Sequence, residues 1–63
     1  MRKYDLTTRE IEVLAQLREG HSYKQAAVIL NINTETVRKH ACNIYLKLDA
    51  KNRTQALKKY YEL

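Results

Sequence analysis

The chain has 63 residues, with 12 Lys or Arg against 7 Asp or Glu, a formal charge of +5 and a sequence pI near 9.6. So short a chain buries only about 60% of the surface its unfolded form exposes, which allows one small domain and no enclosed active site. Cys42 is the only cysteine, so an internal disulfide and a cysteine-based zinc site are excluded, and a reducing compartment fits.

Taken in chain order, the pattern predicts four helices and no strand. Thr7 or Thr8 can cap the first, and Ile11, Leu14 and Leu17 return at helical spacing until Gly20, the sole glycine, which suits a left-handed C-terminal position. This helix runs from about residue 8 to 19. Ser22 can cap a shorter helix over 22–30, in which Tyr23, Ala26, Ala27 and Leu30 fall on one face and the two alanines admit a close neighbour. Asn31, Ile32 and Asn33 then form a turn about three residues long, the length that joins the helices of a helix-turn-helix. Asn33 can cap a third helix over 34–48, whose Val37, Ala41, Ile44 and Leu48 make a narrow apolar stripe. Asp49 to Asn52 break the pattern. Arg53, Ala56, Leu57 and Tyr60 mark the inward face of a last helix over 53–61. The expectation is an all-α, compact four-helix domain spanning 1–63.

The third helix is two-faced. Opposite its stripe stand Glu35, Arg38, Lys39, Cys42, Asn43 and Leu46, so one side packs on a core while the other offers cations and hydrogen-bonding groups to a polyanion such as the DNA major groove. Arg38 has the donors to pair bidentately with guanine O6 and N7, and Lys39 can reach the same acceptors or a phosphate. Thr34 and Thr36 sit in the first turn, where hydroxyls and free N–H groups either meet phosphate oxygens or simply support the cap. Lys24 and Gln25, early in the second helix, lie near a DNA backbone if that helix crosses above the groove, and otherwise form a solvated face. Lys47 is a further candidate for phosphate contact, and Lys51, Lys58 and Lys59 extend the positive character.

Other positions read as structural. His40, at the edge of the stripe, is expected to pack or hydrogen-bond between helices, and its two-residue spacing from Cys42 points the pair in divergent directions, which argues against a metal site or a catalytic dyad. His21 has no ligand partner at useful spacing. Glu10 shares the inward arc of the first helix and Arg53 that of the fourth, so the two are expected to form a buried ion pair. Leu57, Tyr60, Tyr61 and Leu63 give the last helix an apolar arc wider than one small core requires, which suggests a second copy. No signal peptide is evident after Met1, and no apolar run approaches the ~20 residues that cross a bilayer.

The strings LTTREIEVLAQLREGHSYKQAAVIL and INTETVRKHACNIYLKLDAKNRTQA, which together cover nearly the whole chain, resemble the LuxR-type (FixJ-type) helix-turn-helix domain of bacterial transcription regulators. The resemblance implies a four-helix domain that binds double-stranded DNA in transcription regulation, dimerises through its fourth helix on two-fold related half-sites, and usually forms the C-terminal output of a larger regulator; the lone cysteine and the lack of a signal peptide add the expectation that it is cytoplasmic. The resemblance places Arg38, Lys39 and Cys42 at base-facing positions, in agreement with the helical wheel. It implies no enzyme activity, cofactor or small-molecule ligand. Three positions depart from the pattern: Asn33 stands where the family usually has Ser, Ala26 where it has Ile, and Asp49 where it has Gly. The first keeps capping chemistry, the second loosens packing and the third disturbs the loop after the third helix. The alternative from another class is a protein-interaction module that pairs with a larger regulator and holds it off DNA. Such a module has no need of Arg38, Lys39 and Asn33.

Overall fold

The computed structural model describes residues 4–62, so Leu63 lies outside the described residues. Four α-helices follow one another: α1 (Thr8–Arg18), α2 (Tyr23–Leu30), α3 (Thr34–Leu48) and α4 (Arg53–Tyr61). Each begins where a side chain answers the free N–H groups of the first turn. Thr7 does so for α1 in a reciprocal box, its hydroxyl accepting from Glu10 N at 3.1 Å while Glu10 Oε1 accepts from Thr7 N at 2.9 Å. Ser22 and Gln25 repeat this box at α2, with distances of 3.1 and 2.8 Å. Asn33 Oδ1 accepts from Thr36 N at 2.9 Å, and Asn52 Oδ1 from Gln55 N at 2.9 Å.

The helix ends are made by left-handed joints. Gly20, just past α1, has φ +90, and a side chain there would meet nothing within 4 Å, so backbone conformation and not space calls for glycine. Asn31 closes α2 at φ 58 and Asp49 closes α3 at φ 53. Asp49 therefore adopts the conformation that glycine holds at lower cost. The joint survives because Ala50 N bonds Tyr45 O at 2.8 Å and Lys59 Nζ donates to Asp49 O at 2.6 Å.

The core is built from Leu6, Val13, Leu14, Leu17, Ala26, Ala27, Val37, Ile44, Leu48 and Ala56. Helix α3 is its axis, packing against α1, α2 and α4, whereas α4 touches α1 and α3 but not α2. Val37, Ala41, Ile44 and Leu48 are all fully buried along one side of α3. Ala26 and Ala27 are the two buried residues of α2, and their small size lets its backbone approach the α3 stripe.

Candidate nucleic-acid interface

The buried stripe of α3 dictates what faces away from it. Glu35, Arg38, Lys39, Cys42, Asn43 and Leu46 are all exposed, and the first five line an open depression together with Asn33 and Thr36. Cys42 is a free thiol on this outer side. Lys39 enters no ion pair among the described residues. Arg38 is held differently. Its Nε donates to Glu35 Oε1 at 3.3 Å, and its guanidinium carbon lies 5.7 Å from the centroid of the Tyr23 ring on α2.

The first turn of α3 resolves two expectations unequally. Thr36 Oγ1 donates to Asn33 Oδ1 at 3.1 Å, so in the free chain this hydroxyl supports the cap. Thr34 is half-buried and makes no side-chain hydrogen bond among the described residues. Its backbone N–H and that of Glu35 remain at the positive end of a helix dipole, beside the cationic row. Lys24 is exposed on α2 next to His21, Gln25, Val28 and Ile29. Gln25 is already engaged by the Ser22 box.

The expected pairing of Glu10 with Arg53 does not form. Glu10 is buried, but its carboxylate takes Lys47 instead, Nζ to Oε1 at 2.8 Å. Arg53, at the start of α4, acts on the Tyr45 hydroxyl. The reason lies in how the helices cross: Lys47 is next to buried Leu48 on α3, and the α1–α3 contact lays its long stem over the first turn of α1. Burial pushes the Glu10 carboxyl up, but the hydrogen bond and the charge of Lys47, with the hydrogen bonds from Thr7, together outweigh it and hold the group below its ordinary 4.5. Lys47, counted among the phosphate candidates, thus has its ammonium committed to α1.

Behind Arg38 runs a second link that the spacing did not reveal. The Tyr23 and Tyr45 hydroxyls lie 3.3 Å apart and join α2 to α3. Burial first, and then the Tyr23 hydroxyl, push Tyr45 up to about 12, with Arg53 opposing. On the far side, Arg18 at the end of α1 lies 4.4 Å over the Tyr61 ring, which meets Tyr60 edge-on at 5.1 Å. Leu57, Tyr60 and Tyr61 are therefore half-buried against their own core. The large apolar side chains left most open are Val28 and Ile29 on α2 and Leu46 on α3. His40 is half-buried and, among the described residues, hydrogen-bonds no other helix. Among the described residues no group of three or more His, Cys, Asp or Glu side chains is placed to hold a metal, and no helix is long and apolar enough to cross a membrane.

Residues 4–59, from the start of the described chain almost to the end of α4, match the model of the luxR family of bacterial regulatory proteins. The chain belongs to the LuxR family. As in that family, its helix-turn-helix is a DNA-binding unit of transcription regulation, and the family is not one of enzymes. Among relatives, the chain is 52% identical over 52 residues to the transcriptional regulatory protein LnrK of Bacillus subtilis, covering 82% of this chain and 24% of LnrK. It is 45% identical over 51 residues to the nitrate/nitrite response regulator protein NarP of Escherichia coli, covering 81% of this chain and 24% of NarP. The chain thus spans about a quarter of the length of these LuxR-family relatives. The crystal structure of the response regulator ChrA, from a heme-sensing two-component system, superimposes with a TM-score of 0.88 at 39% identity, covering 98% of this chain and 31% of ChrA.

Proposed function

We propose that α3 enters the major groove of double-stranded DNA and that Arg38, Lys39 and Cys42 face the bases, while phosphates are met by the start of α3 at Thr34 and Thr36 and by Lys24. The observation that carries this reading is the division of α3 into a fully buried stripe and an exposed outer row that carries Arg38, Lys39, Cys42 and Asn43. A helix so divided presents a fixed face to a groove of matching width. Phosphate contacts position the domain and base-edge contacts specify the site. Lys47 is left out of the phosphate contacts, since its ammonium serves Glu10.

The same proposal includes a cytoplasmic homodimer joined through α4, acting on two-fold related half-sites, with no catalytic role. Half-buried Leu57, Tyr60 and Tyr61 keep apolar surface for a second copy, and α4 lies clear of α2, so that pairing leaves the helix-turn-helix open. The chain would then supply the DNA-reading part of a transcription factor.

Cys42 makes the test direct. A bulky maleimide should label the folded chain at this exposed thiol, leave its melting temperature unchanged and abolish binding to a duplex selected by the unlabelled chain from a random library. Bound duplex should in turn slow the labelling. If labelled chain binds the selected duplex as tightly as unlabelled chain, α3 does not enter the groove. Sedimentation on the selected duplex checks the dimer: two chains per duplex are expected, and one chain throughout the titration excludes the α4 pairing.

A further inference from the structure

We propose that Glu35 is a positioning residue for Arg38, setting the sequence preference of the recognition helix without itself touching a base. The inference rests on the DNA-binding reading above. It comes from which atom of Arg38 is engaged. Glu35 Oε1 meets Nε, at 3.3 Å, and leaves the two Nη groups at the end of the guanidinium unspent. Guanine presents O6 and N7 side by side, and the paired Nη groups can meet both end-on. A guanidinium gripped at Nε has lost the alternative side-on approach, in which Nε and one Nη donate together. Glu35 therefore selects one of the two ways Arg38 can dock.

Tyr23 restrains the same group from another helix. Its ring centroid lies 5.7 Å from the guanidinium carbon, within range of an attractive cation–π contact, and its hydroxyl is tied to Tyr45. Arg38 is thus bracketed by a carboxylate one turn back on α3 and by an aromatic face on α2. In water the pair is weak, because the Arg38 and Glu35 side chains are 56% and 80% exposed. Its influence grows as a duplex displaces solvent and the local screening falls.

The carboxylate also acts against wrong sequences. Where no guanine meets the Nη pair, Arg38 is drawn to the nearest phosphate, and this swing brings Glu35 toward the same negative backbone or breaks its bond to Nε. Like-charge approach of this kind gives discrimination by penalising the wrong partner. The right sequence finds a pre-set fork, which lowers the ordering cost of binding.

The test compares two duplexes of equal length, one selected from a random library by the unaltered 63-residue chain and one of random sequence, by fluorescence anisotropy. Glu35→Gln should bind the selected duplex about threefold more weakly and the random duplex about twofold more tightly, so that the ratio of affinities falls roughly sixfold. In an Arg38→Ala background the same change should leave the ratio unmoved. In the free chain, Glu35→Gln should shift the NMR resonance of the Arg38 Nε–H. An unchanged ratio in the single variant, an equal fall in the Arg38→Ala background, or an unmoved Nε–H resonance each overturns the positioning role and leaves DNA binding standing. A library from which the unaltered chain enriches no duplex overturns the DNA-binding reading, and the positioning role with it.

Discussion

Two carboxylate–cation pairs in this small domain have the same chemistry and opposite settings. The Glu10 side chain is 4% exposed where Lys47 reaches it across from α3, and it also receives the Thr7 backbone N–H. The Glu35 side chain is 80% exposed, and its partner Arg38 comes from the same helix one turn on. The first pair joins elements 37 residues apart and satisfies a buried anion. The second closes no distance in the chain and competes with water at every atom. Burial thus decides whether a pair holds the fold or stays available to a partner, and the difference teaches that charge counts alone say little about either role.

The largest effect should come from the buried pair. Glu10→Ala takes its partner from the part-exposed Lys47 ammonium, frees the Thr7 N–H and opens space in the core, at a cost of about 3 kcal/mol, while Glu35→Ala should stay within about 0.5 kcal/mol. In a chain this size the first loss lowers the melting temperature by at least about 10 °C. Thermal melts followed by circular dichroism measure both, and equal shifts would erase the contrast.

Arg38→Ala should invert it. Melting temperature is expected to hold, while affinity for a selected duplex falls by roughly 1–3 kcal/mol and sequence preference relaxes. Lys58→Ala serves as the control, weakening selected and random duplexes alike and slightly. Parallel titrations at two salt concentrations check this, since all of the binding should weaken as salt rises.

Acid sharpens the comparison further. Glu10 is held below its ordinary 4.5 in the folded chain, so the unfolded chain takes up this proton first. The stability it contributes is complete above 4.5 and is lost as pH falls through the lower folded value. Melting temperature measured down to about pH 3 should therefore drop less steeply in Glu10→Gln than in the parent. A parent and Glu10→Gln pair with parallel slopes would show that the Glu10 carboxylate gains nothing from Lys47 and Thr7 together.

The smallest effect belongs to a joint where charge is incidental. Asp49→Gly removes the left-handed strain at φ 53 and should raise stability by about 0.5–1 kcal/mol, read as a shift of a few degrees. A decrease would mean that the aspartate side chain does more for the α3 end than its backbone angle costs.

The helices were legible because their ends are chemically marked. Thr7, Ser22 and Asn33 act as caps as expected, Gly20 takes the left-handed position, and the α3 limits of 34 and 48 coincide with the expected ones, whereas the Asn52 cap of α4 lies in what the pattern marks only as a break. The apolar stripe of α3 was equally plain, since Val37, Ala41, Ile44 and Leu48 depend only on helical period. What escaped was contact between helices. Glu10 was recognisable as a charge on an inward arc, but whether Lys47 or Arg53 answered it depends on the crossing of α1 with α3, which no spacing within one helix records. The surplus apolar arc of α4 was likewise visible, yet Tyr61 is partly covered by Arg18 of the same chain, at 4.4 Å. The Tyr23–Tyr45 link, between residues 22 apart, had no local signal at all.

The rigid division of α3 bears on how such a domain acquires new targets. Substitutions at exposed positions away from caps and core usually change stability by no more than about 0.5 kcal/mol. The outer row at Glu35, Arg38, Lys39, Cys42 and Asn43 can therefore be rewritten while Val37, Ala41, Ile44 and Leu48 continue to seat the helix. A domain near the threshold of foldability has little tolerance for mutation in its interior. If the proposed interface holds, keeping recognition and support on opposite sides of one helix lets target preference change without carrying the fold below that threshold.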